Sequence, residues 1–293
     1  MQWGNVLAIW VALAVLAVAN GILREKAVKP RTGERWAHLI STLVLSVVIL
    51  VVSVFSLPWT GAKSLTAAWE VGALWTGLTL AFEFFAGHYL FGNPWSKILA
   101  DYDPTHGRVW MLVPVVTLFG PPLAFVGVPA QFAVPYAVSQ VFAVVTLAFA
   151  FGRPKVARWV MAALFSYAAV HNALFAVFSP QEYQGFASMM LVGWYREIVE
   201  GPFRTSATAW LAVIALGQAI VALCLAMGGQ RLWVGVAGVI VFLVALLPFG
   251  VGSAFPFGVV VSLAALVVYG VEVEAETGLR GRVDGQRPAF TAK

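Results

Sequence analysis

The chain has a single cysteine, Cys224, set in an apolar run, so it holds no internal disulfide and no CxxC redox centre. Charge is scarce as well. Asp, Glu, Lys and Arg make up 11% of 293 residues, against about 25% in an ordinary soluble protein. Several enzyme signatures are missing too: there is no phosphate-binding glycine loop, no nucleophile elbow and no HExxH zinc motif. No polar stretch is long enough for a separate soluble domain, the longest being 179–205 and 272–293. What remains is apolar. Hydrophobic residues reach 61%, mean hydropathy is +0.87, and there are 12 tryptophans. The sequence therefore reads as all-α: a polytopic membrane helical bundle.

Nine apolar segments can be drawn, over 3–20, 36–57, 66–91, 109–128, 131–151, 157–178, 206–227, 232–249 and 255–271. The first has no basic residue ahead of it, and Arg24, Lys26, Lys29, Arg31 and Arg35 follow, which places the N-terminus outside and argues against a cleaved signal peptide. Nine crossings then put only Lys63, Arg196 and Arg204 outside and the remainder of the 18 basic residues inside, with the C-terminus cytoplasmic. The +5 net charge is used up by this topology, so nucleic acid is not a partner; the lipid bilayer and other membrane proteins are. The setting is a multi-pass protein of a cell membrane, the prokaryotic cytoplasmic membrane. Prolines 114, 121, 122, 135 and 248 predict kinks or breaks, and Pro121-Pro122 predicts an early end to the fourth helix. The loop 179–205 alternates apolar and charged residues as an amphipathic interfacial helix does, either as a lid on the bundle or as the mouth of a site. The organisation expected is a four-helix unit over 1–128, a linker helix over 129–156, a second four-helix unit over 157–271 and a poorly ordered tail over 272–293. The odd count gives the two units opposite orientations, an inverted pair with no residue-level similarity between its halves.

The third segment carries the central feature. Glu83 lies about 7 Å from its midpoint at 1.5 Å per residue, inside a hydrocarbon layer ~30 Å thick. A carboxylate there costs roughly 2.5–3.5 kcal/mol unless sheltered. Gly72, Thr76, Thr79, Glu83 and Gly87 follow helical spacing and share one small, polar face, which belongs against protein or a water-filled cavity. On the second segment His38 falls with Ser41, Thr42, Ser46, Ser53 and Ser56 on one arc. His88 lies about a turn and a half beyond Glu83, and Arg24 and Arg35 flank the same level. These residues are the candidate ligand or proton site, in which His38, Arg24 or Arg35 would hold Glu83; a structural hydrogen-bonded knot is the competing reading. His38 and His88 also raise bis-His haem or a metal, with no second-shell pattern to support either. A second candidate pocket is Tyr167, His171 and Asn172 on the sixth segment with Gln218 on the seventh. It could take a lipid-soluble ligand such as a quinone, or serve interhelical hydrogen bonding. No cofactor is required by any of these features.

The run Gly217-Gln218-Ala219-Ile220-Val221-Ala222-Leu223, then Met227-Gly228-Gly229 and Arg231-Leu232, with the closing Gly250-Val251-Gly252-Ser253-Ala254-Phe255-Pro256, resembles the DoxX-like four-helix membrane proteins. The resemblance covers about 157–271 and implies a membrane-embedded bundle, sometimes tied to quinone or sulfur redox systems, with no single activity. Members of that family often carry an acidic residue where Gln218 stands. The first unit is similar to uncharacterised bacterial membrane proteins through Asn20-Gly21, Gly33-Glu34-Arg35, Phe82-Glu83-Phe84 and Asp101-Tyr102-Asp103, a likeness that brings no function. The expectation is a non-enzymatic binding or accessory membrane protein, with a small-solute or proton-coupled carrier using Glu83, or a quinone-linked redox component, as alternatives.

Overall fold

The computed structural model describes residues 1–285 and is all-helical, with no strand among the described residues. Each of the nine apolar segments forms a principal helix. These are α1 (Trp3–Leu23), α2 (Glu34–Thr60), α3 (Leu65–Ala81), α4 (Leu112–Val126), α5 (Ala133–Gly152), α6 (Pro154–Phe178), α7 (Ala207–Met227), α8 (Leu232–Ala245) and α9 (Phe257–Gly285). Six helical stretches are long and apolar enough to cross a membrane: Trp3–Thr32, Glu34–Thr60, Ala130–Gly152, Pro154–Phe178, Ala207–Met227 and Phe257–Ala275. A seventh arises if α8 and the 3₁₀ segment Leu247–Ser253, bent by 80°, count as one.

Packing follows the small residues. α2 and α3 both lie on α4, and α1 lies along α2. α6 and α7 pack along their length, α8 joins α7 and α9, and α5 rests on α9 and α6. At Gly238 an added Cβ would fall 2.2 Å from Val221, so α7 and α8 approach closely there. One continuous apolar core runs through both expected units, from Val6 and Trp75 to Leu225 and Val268. Phe119 of α4 stacks on Phe255 at 4.7 Å, and Tyr136 of α5 donates to the Phe255 carbonyl, so the first unit and the linker helix both meet the α8–α9 connection.

Two sequence expectations change, and one holds. Pro121 and Pro122 do not end the fourth helix, which runs on to Val126. Pro122 cannot donate to the Leu118 carbonyl. That carbonyl instead faces α3 so closely that a Cβ on Gly72 would lie 2.2 Å from it. Neighbouring backbone, not an unravelled turn, receives the freed group. The break expected at Pro248 is present, with α8 ending at Ala245. The loop 179–205 is not one interfacial helix. It contains the 3₁₀ segment Glu182–Met189 and the short helix Gly193–Ile198. Its centre is a lid: Ala187, Met189, Met190 and Leu191 are buried, Arg196 donates to the Ala187 carbonyl at 2.9 Å, and Trp69 of α3 donates to the Leu191 carbonyl at 2.9 Å. The tail from 272 continues as helix to Gly285, and Glu272 pairs with Arg158 at 3.0 Å; residues 286–293 lie outside the described part. Arg158 also donates to the Leu225 carbonyl at 2.6 Å, so it serves the C-terminal end of α7 as well.

Candidate functional site: the cavity beside Glu83

Two helices change pitch where the first unit turns polar. α1 passes into a π-helical stretch over Arg24–Val28, and α3 into a longer one over Phe82–Leu90. In a π turn the N–H reaches back five residues instead of four, which widens the helix and turns its faces. Such segments are rare and frequently sit at functional sites. Here Arg24 opens one and Glu83 lies in the first turn of the other.

Both residues line the same cavity, of about 320 Å³, enclosed by α1, α2, the α3 extension, α4 and the short helix Trp95–Ala100. Its wall is divided. Trp10, Leu13, Ala14, Ala17, Leu45, Ile49 and Val113 form an apolar wall, Asn20, Arg24, Ser41, Asn93 and Asp101 make the other end polar, and Glu83 lies about one helical turn beyond Thr79, which Trp10 bonds. Beside the apolar wall Trp10 donates to Thr79 at 3.2 Å, and the fully buried Trp75 donates to the Val6 carbonyl at 2.9 Å. These two bonds hold α1 to α3. The rim carries Val18, Phe82 and Phe91, all exposed, with Phe82 edge-on to Trp10 at 6.5 Å.

Glu83 is held by a residue the sequence reading did not include. Tyr102, in the loop after Trp95–Ala100, donates its hydroxyl to Glu83 Oε2 at 2.6 Å. Burial, and then the carboxylate acceptor, push the Tyr102 hydroxyl far above the ordinary phenol range, so it stays a donor. Trp110 lies beside the same pair; its Nε1 is buried without hydrogen-bond geometry to any group among the described residues. Asp101 is next in the chain to Tyr102. Burial pushes its carboxyl up, against the pull of Arg108, Arg24 and Lys97.

The loop that delivers Tyr102 is itself clamped. Asp103 accepts from the Thr105 hydroxyl at 2.5 Å and the Thr105 N–H at 3.0 Å, and His106 lies 2.8 Å from its other oxygen. Those bonds, the Thr105 ones first, hold the Asp103 carboxyl below its usual range. The resulting turn seats on α9, where a Cβ at Gly270 would lie 1.9 Å from the Thr105 carbonyl. Only glycine permits that approach.

The other named residues divide. Thr79 and Gly87 line the cavity with Glu83, whereas Thr76 points to α4, its hydroxyl 3.5 Å from the Pro114 carbonyl. His38 is buried (1% exposed) among the expected serines, packs on Trp110 at 6.4 Å, and neither ring nitrogen has a hydrogen-bond partner among the described residues. His88 turns elsewhere: its ring stacks on Trp95 at 4.2 Å and Nδ1 lies 2.9 Å from the Asn93 carbonyl. The two histidines thus have separate neighbours. No group of three or more His, Cys, Asp or Glu able to hold a metal occurs among the described residues. Arg35 lies over the Phe151 ring at 4.9 Å, and Arg24 pairs with Glu25 at 3.2 Å; neither bonds Glu83.

In the second unit Asn172 donates to Gln218 at 2.7 Å and accepts from Tyr183 of the lid at 2.5 Å, bonds that join α6, α7 and the lid. Tyr167 is 68% exposed and its ring lies 5.7 Å from that of His171. His171 stacks on Phe175 at 4.4 Å, and Phe175 meets Tyr183 at 5.7 Å. Of the four residues grouped by sequence spacing, Asn172 and Gln218 share a hydrogen bond and Tyr167 and His171 share a ring contact.

No protein-family model, curated protein or solved structure matches this chain.

Proposed function

We propose that the protein is an integral membrane protein that binds rather than transforms: the cavity beside Glu83 holds a small amphiphile taken from the bilayer. The observation that carries this reading is the divided wall, apolar along α1 and polar at Glu83, with two π-helical segments at its charged end. Ligand pockets commonly combine a mostly apolar lining with a few placed polar groups, and about 300 Å³ lies at the small end of their range. We take the chain to cross nine times, N-terminus outside and C-terminus in the cytoplasm of a prokaryotic cell. This rests on the alternation of basic loops and on nine helices that match the nine apolar segments. Glu83 then sits in the cytoplasmic half. We read the second unit as DoxX-like and as an accessory to a membrane partner. Its support is the glycine pair Gly228-Gly229 at the α7–α8 turn, both at positive φ.

A carrier is the alternative, favoured by one feature: the cavity is bolted at Trp10–Thr79 but apolar and exposed at its rim. Reconstitution in liposomes separates the two. A carrier shows solute or proton flux that Glu83→Gln removes while the fold is kept. A binding protein shows no flux that depends on Glu83, and retains a co-purifying amphiphile that Glu83→Gln releases.

A further inference from the structure

Most charges around the cavity are tied into one chain of ion pairs, and Glu83 is the carboxylate left outside it. Arg24, Glu25, Lys29, Glu34, Arg108 and Asp101 form a chain of ion pairs at 3.2, 3.1, 2.6, 3.3 and 3.7 Å in that order. Three cations meet three anions, and both end members line the cavity. Lys97 stays outside on Asn93 Oδ1 at 2.9 Å. Glu83 belongs to none of this. Its only hydrogen bond with full geometry among the described residues is from the neutral Tyr102, and no cationic side chain pairs with it there. An ionised carboxylate in such surroundings needs an opposite charge. The apolar wall supplies the second requirement. From Trp10 to Arg24 the cavity follows about 21 Å of α1, at 1.5 Å per residue, which is long and narrow for its volume.

We propose that the occupant is a single-chain amphiphile headed by a protonated primary amine. Its ammonium lies against Glu83 and its chain follows the apolar wall of the cavity along α1, formed by Leu13, Ala14 and Ala17. This deepens, and rests on, the binding reading above. An ammonium offers three donors, enough for Glu83 and for the Asp101 oxygen left over from Arg108. An anionic head would meet two carboxylates, and a neutral head would leave Glu83 uncompensated. Two sources share this chemistry: a free long-chain amine, and a single-chain lipid with a phosphoethanolamine head, whose phosphate would in addition reach Arg24.

The test uses the full chain in lipid nanodiscs, with native mass spectrometry reading the binding of hexadecylamine, hexadecanol, hexadecanoate and a single-chain phosphoethanolamine lipid. Hexadecylamine is expected to bind about tenfold or more tighter than hexadecanol and hexadecanoate. Glu83→Gln is expected to erase that preference. A phosphoethanolamine lipid that binds tighter still, and loses the gain in Arg24→Gln, identifies the lipid source; if it binds more weakly than hexadecylamine, the source is the free amine. Hexadecanol or hexadecanoate binding as tightly as the amine overturns the charge assignment but leaves the binding reading standing. Failure of every probe to bind overturns both. Should Glu83→Gln not fold, the ranking of the probes on the wild-type chain decides alone.

Discussion

At the scale of single residues, the first unit holds a half-buried carboxylate and a buried imidazole with opposite fortunes. Glu83 receives a hydrogen bond from Tyr102. Removing that hydroxyl leaves the carboxylate without its donor, so Tyr102→Phe should lower stability by about 1–3 kcal/mol. Thermal unfolding in detergent, compared with the wild type, checks this. His38 keeps two ring nitrogens that no described protein group satisfies. Replacing such a group by an apolar one of similar size is nearly neutral or stabilising. His38→Leu should therefore melt at or above the wild-type temperature; a drop of several degrees would show that the imidazole holds a partner of its own. The burial of His38 was legible in the sequence, because serines at helical spacing marked an inward face. Tyr102 was not legible as a partner. It lies 19 positions beyond Glu83 in a short loop, and only the flanking acidic pair Asp101 and Asp103 hinted that this loop returns to the polar end.

At the scale of elements, α3 and α4 show how a proline pair survives inside a helix. The Leu118 carbonyl freed by Pro122 is received at Gly72, where there is no room for a methyl group. Gly72→Ala should cost about 1–3 kcal/mol through overpacking. Gly77 lies in the same helix with nothing within 4 Å of an added Cβ. Gly77→Ala should be neutral or gain up to about 1 kcal/mol from helix propensity. Opposite shifts in melting temperature for the two variants are the expected readout, and equal losses would contradict the packing. The sequence foresaw a break at Pro121-Pro122 because propensity rules see the missing N–H but not the neighbour that accommodates it. The π-helical stretch at Glu83 was also out of reach. A pattern counted at 100° per residue groups Glu83 with Gly72 and Thr76, yet Thr79 and Glu83 line the cavity while Thr76 stays on α4.

At the scale of the whole molecule, the expected units are less separate than their sequences suggest. The loop that carries Tyr102 to Glu83 is seated on α9 at Gly270, and the lid after α6 is tied to Trp69 of α3. The second unit thus braces the cavity of the first. Gly270→Ala, more than one helix away from Glu83, should unseat the Pro104–His106 turn and weaken amphiphile binding, with faster proteolysis in 101–108 as its signature. Unchanged binding and unchanged proteolysis would mean the two units do not communicate through this contact. The all-helical class and the apolar helices were legible because a span in lipid must satisfy its own backbone. The bracing was not, since it depends on one carbonyl meeting one glycine 165 positions later, with no periodic signal to announce it.

The account stands on a sheltered Glu83 in the wall of a cavity that a membrane amphiphile fills. Electron microscopy of the full chain in a lipid nanodisc addresses it directly. The expected map shows Tyr102 on Glu83 and an elongated density against Glu83 that follows α1. A map in which α1 closes onto α2 and α3 with no such space, or in which Glu83 faces lipid tails, would contradict it.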